Sequence, residues 1–243
     1  MTARLRAVVR GTISLALFAA FALGSLVVSP LMLVLRRPER CQPVIRATWR
    51  LLVKLFVLTR LTRIDRGNLT DVRGSVIVAN HPSLIDVVLL LVLVPRTLYV
   101  AKHALKANPF VTAIVRATAL PDDARLPEAA APYLKKGWNV LVFPEGTRTP
   151  ASGVLNPFRR GAAQVAVRTG APVACVRIDV SHRVLGKRQA PWDVGSSPVT
   201  YAFRLTSIPA RPPQTGVTRA AAVRLTEEMR RKLSATSPRA QGG

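Results

Sequence analysis

His81 and Asp86, a histidine and a carboxylate five residues apart, are the residues of this chain whose types and spacing best suit proton transfer. The apolar run 75–79 before them predicts a buried strand, and Pro82 fits the first turn of a helix. We expect His81 to lie just outside that helix and Asp86 about one turn into it. The carboxylate can then accept a hydrogen bond from one ring nitrogen, which leaves the other nitrogen free as a general base. Taken alone, the pair is more simply interpreted as a structural hydrogen bond in a loop.

A second polar turn strengthens the catalytic interpretation. Another apolar run, 139–143, is followed by a turn with an acid, a flexible glycine, a hydroxyl and a guanidinium, which are Glu145, Gly146, Thr147 and Arg148. Gly146 permits close approach of the backbone, and Arg148 can bind a phosphate through two N–H groups. Open α/β sheets bind their ligands beyond the carboxyl ends of the strands. We therefore expect the two turns to follow neighbouring strand ends.

From residue 61 onward, short apolar runs alternate with helical patterns. The predicted strands are Leu61–Arg66, Ser75–Ala79, Thr97–Ala101, Asn139–Phe143, Val173–Ile178 and Val199–Leu205. The predicted helices are Pro82–Leu93, part of Lys102–Val115, Leu126–Lys136, Arg159–Thr169 and Thr218–Leu233. This alternation predicts an α/β fold, with a mixed, largely parallel sheet and helices on its faces. We expect one α/β domain over 61–233, membrane-associated helices over 1–60 and a disordered tail over 234–243.

The N-terminal segment contains an apolar run without charged residues, Gly11–Leu35, bracketed by arginines. As a helix it would be about 37 Å long at about 1.5 Å per residue, which is enough to cross a hydrocarbon core of roughly 30 Å. A membrane helix is the favoured prediction. Gly24 and Pro30 permit a bend, so a re-entrant or interfacial helix is an alternative. A cleavable signal peptide ranks lower because the apolar run continues well past the small residues at 20–22.

The next segment, Pro43–Arg60, has the pattern of a basic amphipathic helix. Arg46, Arg50 and Lys54 recur along one helical side, and apolar residues occupy another. Two interpretations fit this pattern about equally well: a helix on an anionic membrane, and a helix packed on the domain core. Its position directly after the apolar run favours membrane contact. Basic residues are denser after that run than before it, which by the positive-inside rule predicts an inner-membrane protein with its domain facing the cytoplasm.

The chain carries 36 Lys and Arg residues against 12 Asp and Glu residues, a formal net charge of +24. Anionic membrane lipid is favoured over nucleic acid as the partner because the basic residues flank apolar runs and do not form an arginine-rich arm with aromatics. An arginine-rich composition that serves no partner explains part of this charge. Cys41 and Cys175 lack zinc-ligand spacing and any disulfide framework, so we predict reduced thiols and no metal site, with a single disulfide as the alternative.

Together, Asn80–Asp86 and Phe143–Arg148 resemble the glycerolipid acyltransferase family, the lysophosphatidate (1-acylglycerol-3-phosphate) acyltransferases and their relatives, with its HxxxxD and FPEGTR motifs. The order of the motifs matches, and the spacing between them is of the family's kind. Ala171–Val173 resembles the last, apolar motif of the family. The resemblance spans roughly residues 61–205.

The resemblance implies direct transfer of a fatty acyl group from a thioester, acyl-CoA or acyl-ACP, to the hydroxyl of a lysophospholipid such as 1-acylglycerol-3-phosphate. His81 would take the hydroxyl proton and Asp86 would orient the imidazole, with no covalent acyl-enzyme, no metal and no cofactor beyond the acyl donor. The acceptor or its phosphate would be held by the second motif and by basic positions along the groove, which are Glu145, Gly146, Thr147, Arg148, Lys102, Arg159 and Arg160.

One stretch departs from the family pattern. Members that make phosphatidic acid usually carry an arginine after an apolar strand between the two motifs, whereas this chain has Ala119–Asp123 there, with two carboxylates. These carboxylates should repel a phosphomonoester, unless Arg116 or Arg125 takes the place of the arginine. A different acceptor, such as an aryl-polyene-type lipid, is therefore one alternative. A catalytically silent lipid-binding homologue is another.

Overall fold

The computed structural model describes residues 2–35, 37–101, 112–186, 189–213 and 219–235. Its helices are α1 (Ala3–Leu35), α2 (Pro38–Leu58), α3 (Asp86–Leu93), α4 (Thr112–Thr118), α5 (Leu126–Lys135), α6 (Gly161–Thr169) and α7 (Arg219–Ala235), with one 3-10 turn at Leu69–Asp71. Its strands are β1 (Thr62–Asp65), β2 (Val76–Ala79), β3 (Thr97–Ala101), β4 (Ala119–Pro121), β5 (Asn139–Val142), β6 (Val173–Val180) and β7 (Val199–Ile208).

The seven strands form one sheet in the order β1-β7-β6-β2-β5-β3-β4. The five strands from β6 to β4 are parallel to one another. β7 is antiparallel to β6, and β1 is parallel to β7. The predicted mixed, largely parallel sheet is therefore confirmed. Because β2, β5, β3 and β4 run in one direction, the residues that follow them emerge at the same edge.

Helices cover both faces of this sheet. Ile77 and Leu141 face a core that also contains residues of α2, α3 and α4, whereas Val78 and Val140 face a core shared with α5, α6 and α7. Successive strand residues point to opposite faces, so a strand that is covered on both sides must be apolar throughout. This is why the central strands are continuous apolar runs.

Three details differ from the predictions. α3 begins at Asp86 instead of Pro82, so residues 81–85 form a turn that precedes the helix. The sequence patterns do not predict β4, because its three residues are too few for a periodic signal. Ser234 and Ala235, expected in a disordered tail, belong to α7.

The first helix is long and apolar enough to cross a membrane by length and composition, with a mean hydropathy of 2.3 over an 18-residue window. One side of it nevertheless contacts the rest of the protein, since Ser25 and Met32 are buried. Near its start, the Arg10 guanidinium donates to four backbone carbonyls, those of Arg60, Leu61, Gly195 and Ser197. α1 is therefore attached to the domain as well as being apolar.

The apolar side of α2 packs inside the protein. Its buried side chains are Ile45, Trp49, Leu52, Val53 and Phe56, and they belong to the same core as β2 and α3. Arg46, on the basic side, donates to the carbonyl of Val92 in α3. The amphipathic pattern thus reflects packing on the domain core, and the expectation that this apolar side lies on a membrane is corrected.

Asn80 joins β2 to β6 at the point where the chain leaves the sheet. Its Nδ2 donates to the Ile178 carbonyl at 2.8 Å, and the Ile178 N–H donates to its Oδ1 at 2.7 Å. The side chain is buried. Because His81 is the next residue, these two bonds set the direction in which the catalytic candidate leaves the strand.

We expect Asn80→Ala to lower the free energy of unfolding by about 2–4 kcal/mol, because two buried backbone groups of Ile178 lose their partners. Urea unfolding in mild detergent measures this difference. Asn68→Ala is the matched control, since Asn68 is exposed and its side chain caps no helix; it should change stability by less than about 0.5 kcal/mol. Equal effects from the two variants would contradict the structural role of Asn80.

Candidate active site

His81 and Phe143 emerge side by side from the parallel strands β2 and β5, in which Val78 lies opposite Val142. The two rings stack with their centroids 4.3 Å apart and their planes at 26°. The structure therefore brings the two predicted turns together at one edge of the sheet.

Asp86 holds the His81 ring from inside the protein. Its Oδ2 accepts hydrogen bonds from His81 Nδ1 at 3.0 Å and from the Ser83 N–H at 2.8 Å. The Asp86 side chain has no exposed surface. Burial raises the pKa of this carboxyl, while the two hydrogen bonds and the charge of Arg148 act in the opposite direction. Its place at the start of α3 also favours a negative charge.

The spacing of five residues follows from this geometry. Residues 82–85 form a turn around the carboxylate, and Asp86 is the first residue of α3. When Asp86 is ionised its carboxylate only accepts, so His81 Nδ1 donates and Nε2 is left with the lone pair. The arrangement therefore holds the imidazole in an orientation in which it can act as a general base.

Ser83 and Tyr201 brace the turn between His81 and Asp86. The Tyr201 hydroxyl donates to Ser83 Oγ at 3.0 Å, and both side chains are buried. Burial raises the pKa of Tyr201, so the phenol keeps its proton and remains a donor. Ser83 thus has a structural role, and its buried hydroxyl is not placed to act as a nucleophile. The sequence analysis missed Tyr201 because it lies 118 residues further along the chain.

Glu145 holds the second turn together. Its Oε1 accepts the hydroxyl proton of Thr149 at 2.5 Å, and its Oε2 accepts two hydrogen bonds from Asn156. Thr149 in turn accepts the His81 backbone N–H at 2.9 Å and donates its own N–H to the His81 carbonyl at 2.8 Å. Both carboxylate oxygens thus have donors within the protein, and Glu145 does not line the pocket. Binding of the substrate by Glu145 stays a prediction. Thr149 and Asn156 lie shortly after the motif in the sequence. Their hydroxyl and amide groups are the sequence signal from which these contacts could have been predicted.

Gly146 makes room for Arg159 beside the second turn. Gly146 has a φ of +61°, and a Cβ at this position would lie 2.8 Å from Arg159 Nε. The backbone N–H of Arg159 donates to the Pro144 carbonyl at 2.8 Å. Its Nη1 lies 3.4 Å from Asp122 Oδ2. The structure thus brings Arg159 into the site and places a carboxylate next to it.

The remaining predicted residues fall into three groups. Thr147 and Arg148 line the pocket, and Arg148 Nη1 donates to the carbonyls of Leu185 and Gly186. Arg160 is exposed and does not line the pocket, and its assignment to the site stays a prediction. Lys102 lies outside the described residues.

A pocket of about 320 Å³ opens over the His81 ring. Its polar and charged lining residues are His81, Tyr99, Asp122, Thr147, Arg148 and Arg159, and apolar lining residues include Leu84, Val87, Val100 and Phe143. The site therefore offers a base, two cations and an apolar wall within one small pocket. This combination suits a ligand with an anionic headgroup and a hydrocarbon chain.

The sequence was compared with known families and curated proteins. Residues 60–179 match the family model described as Acyltransferase. The 1-acyl-sn-glycerol-3-phosphate acyltransferase of Cocos nucifera is 27% identical over 159 residues, which cover 61% of this chain and 50% of that protein. The 1-acyl-sn-glycerol-3-phosphate acyltransferase beta of Homo sapiens is 31% identical, over 51% of this chain and 48% of that protein. The chain thus spans about half the length of these curated relatives.

Among solved structures, the 1-acyl-sn-glycerophosphate (LPA) acyltransferase PlsC from Thermotoga maritima is similar, with a TM-score of 0.67 and 21% sequence identity. The match covers 98% of this chain and 99% of that one. It shows that the two proteins share a fold, including the N-terminal helices. The match of residues 60–179 to the family model described as Acyltransferase and the paired turns of the site confirm the resemblance found in the motifs.

Proposed function

We propose that this protein is an O-acyltransferase that moves a fatty acyl group from a thioester donor, acyl-CoA or acyl-ACP, to the hydroxyl of a lysophospholipid such as 1-acylglycerol-3-phosphate. The observation that carries the proposal is the hydrogen bond of His81 to Asp86 in a pocket that also contains Arg148 and Arg159. Relatives named for acyl transfer to 1-acyl-sn-glycerol-3-phosphate support this acceptor class.

In the proposed reaction, His81 Nε2 takes the proton of the acceptor hydroxyl while the hydroxyl oxygen attacks the thioester carbonyl carbon. A C–O bond forms and the C–S bond breaks. The proton then passes from the imidazolium to the leaving thiolate, and His81 returns to its neutral form. Asp86 stabilises the imidazolium and keeps the ring in one tautomer. Ser83 Oγ is buried and bonded to Tyr201, so it offers no route to an acyl-enzyme.

The lining residues provide for both parts of a lysolipid. Arg148 and Arg159 supply positive charge for the phosphate, and Gly146 lets the headgroup approach the backbone of the second turn. Leu84 and Val87 form an apolar wall next to His81 that suits a hydrocarbon chain.

We also propose that the protein is associated with the inner membrane, with its site facing the cytoplasm. α1 is strongly apolar. Three apolar side chains are more than three-quarters exposed, and these are Val27 and Val34 in α1 and Leu58 in α2. Apolar side chains in this number on two adjacent helices favour contact with lipid over contact with water. The net charge of +24 favours an anionic membrane surface.

A catalytically silent lipid-binding protein is the alternative from another class. Such a protein would need the pocket but not an imidazole held in one tautomer by a buried carboxylate. Release of free thiol from acyl-CoA or acyl-ACP in the presence of a panel of lysolipids distinguishes the two, because mere binding releases no thiol.

His81→Ala should lower kcat/KM for acyl transfer by about 10²- to 10⁴-fold, because the hydroxyl loses its general base. Thiol release by detergent-solubilised protein measures this rate. His182→Ala is the matched control, since His182 follows β6 and does not line the pocket; its activity should stay within about threefold of the wild type. Near-normal activity of the His81 variant would refute the mechanism.

Asp86→Asn should lower kcat by a similar factor, about 10²- to 10⁴-fold, because an amide in this position can stabilise the wrong tautomer and carries no charge for the imidazolium. The double variant His81→Ala/Asp86→Asn tests whether the two residues act as one unit. It should be no slower than His81→Ala alone, because Asp86 acts through the histidine. Strictly additive losses would show that Asp86 supports activity by some other route.

A further inference from the structure

Asp122 is the one carboxylate among the described residues that line the His81 pocket. It directly follows β4, which is parallel to β3, so it emerges at the same edge of the sheet as His81. Its side chain is 35% exposed, which means that it is partly shielded from water. The mechanism proposed above assigns no role to this residue.

The nearest positive charge to Asp122 in the pocket is Arg159. Asp122 Oδ2 lies 3.4 Å from Arg159 Nη1, within reach of an ion pair. Arg159 is also confined by the second turn, because its Nε and Cζ occupy the space that a side chain at position 146 would fill. Asp122 and Gly146 thus hold the guanidinium in one part of the pocket.

The other cation of the pocket, Arg148, has one nitrogen bound to the carbonyls of Leu185 and Gly186. Among the described residues, the Arg159 side chain donates to no backbone carbonyl, and it is 61% exposed. An anionic headgroup that enters the pocket will therefore meet Arg159 as its more accessible partner. It must compete there with Asp122.

This competition depends on the charge of the headgroup. A phosphomonoester carries a charge of about −1.5 to −2 at pH 7, because its second pKa is about 6. A phosphodiester carries a single charge. Since Coulomb repulsion is proportional to the product of the charges, Asp122 repels a monoester up to about twice as strongly as a diester at the same distance.

We propose that Asp122 is a specificity-determining residue that disfavours phosphomonoester acceptors relative to phosphodiester acceptors by competing with the headgroup phosphate for Arg159. This inference rests on the proposed function. It states that the site distinguishes acceptors by the charge of their phosphate group. Its effect lies in binding of the acceptor, because the contact of Asp122 is with Arg159, whereas His81 pairs with Asp86.

The test compares two acceptors that share one acyl chain, 1-acylglycerol-3-phosphate and the phosphodiester 1-acylglycerol-3-phosphoglycerol, in neutral detergent micelles. Asp122→Asn should raise kcat/KM for the monoester by about fivefold through a lower KM, and for the diester by only about two- to threefold, because the repulsion that is removed is proportional to the charge of the phosphate. Asp122→Glu should restore the preference of the wild type.

Asp123→Asn is the matched control. Asp123 is the next residue, carries the same charge, and pairs with Arg125 at 2.7 Å without lining the pocket. Its variant has the same net charge as Asp122→Asn, so any general effect of protein charge on micelle binding appears in both. The ratio of kcat/KM values for the two acceptors should stay at its wild-type value in Asp123→Asn.

An unchanged acceptor ratio in Asp122→Asn, or an equal change in Asp123→Asn, would overturn the inference while leaving acyl transfer intact. Acylation of neither lipid by the wild type, with both acyl-CoA and acyl-ACP as donors, would instead refute the proposed function. In that case the ratio of the Kd values for the two lysolipids, obtained by titration of wild type and Asp122→Asn, still decides the role of Asp122.

Discussion

A carboxylate without exposed surface must be given donors, and the geometry of this site follows from how Asp86 obtains them. Both donors, the His81 ring and the Ser83 amide, reach the same oxygen. A buried charge that loses such partners is costly, so the turn between residues 81 and 86 cannot relax freely. The position of the histidine therefore follows from the donors that Oδ2 takes, whereas Oδ1 of Asp86 has no hydrogen-bond partner among the described residues. Tyr201 lies in β7 and donates to Ser83, so this constraint also links the turn to a strand two positions away from β2 in the sheet.

Much of the fold could be predicted because parallel strands that are buried on both faces leave a strong signal. β2 and β5 are short apolar runs with turn residues after them, and the pattern located both. β4 was not predicted, because three residues are too few to show a periodic pattern and its pairing with β3 depends on the rest of the sheet. The start of α3 was placed too early because Pro82 fits a first helical turn, whereas the donors to Asp86 require a non-helical turn there.

The residue types showed which side chains could belong to the site. They did not show which partner each side chain binds. The His81–Asp86 contact was predictable, since five residues allow a ring to fold back on a helix start. The use of Glu145 was not, because a carboxylate in a turn has the same sequence signal whether it faces a ligand or its own loop. In the structure Thr149 and Asn156 donate to its carboxylate, and both residues lie outside the short motif. The role of Asp122 likewise depends on its contact with Arg159, which lies 37 residues later in the chain.

The four carbonyls bound by Arg10 have a mechanical consequence for the N-terminal helix. Two of them, in Gly195 and Ser197, belong to the connection between β6 and β7, and an earlier part of that connection is held to the site by Arg148 through Leu185 and Gly186. Arg10 in α1 and Arg148 at the pocket therefore bind the same connection, at residues 195–197 and 185–186 respectively. α1 thus shares a structural support with the pocket and is more than a separate attachment to the domain.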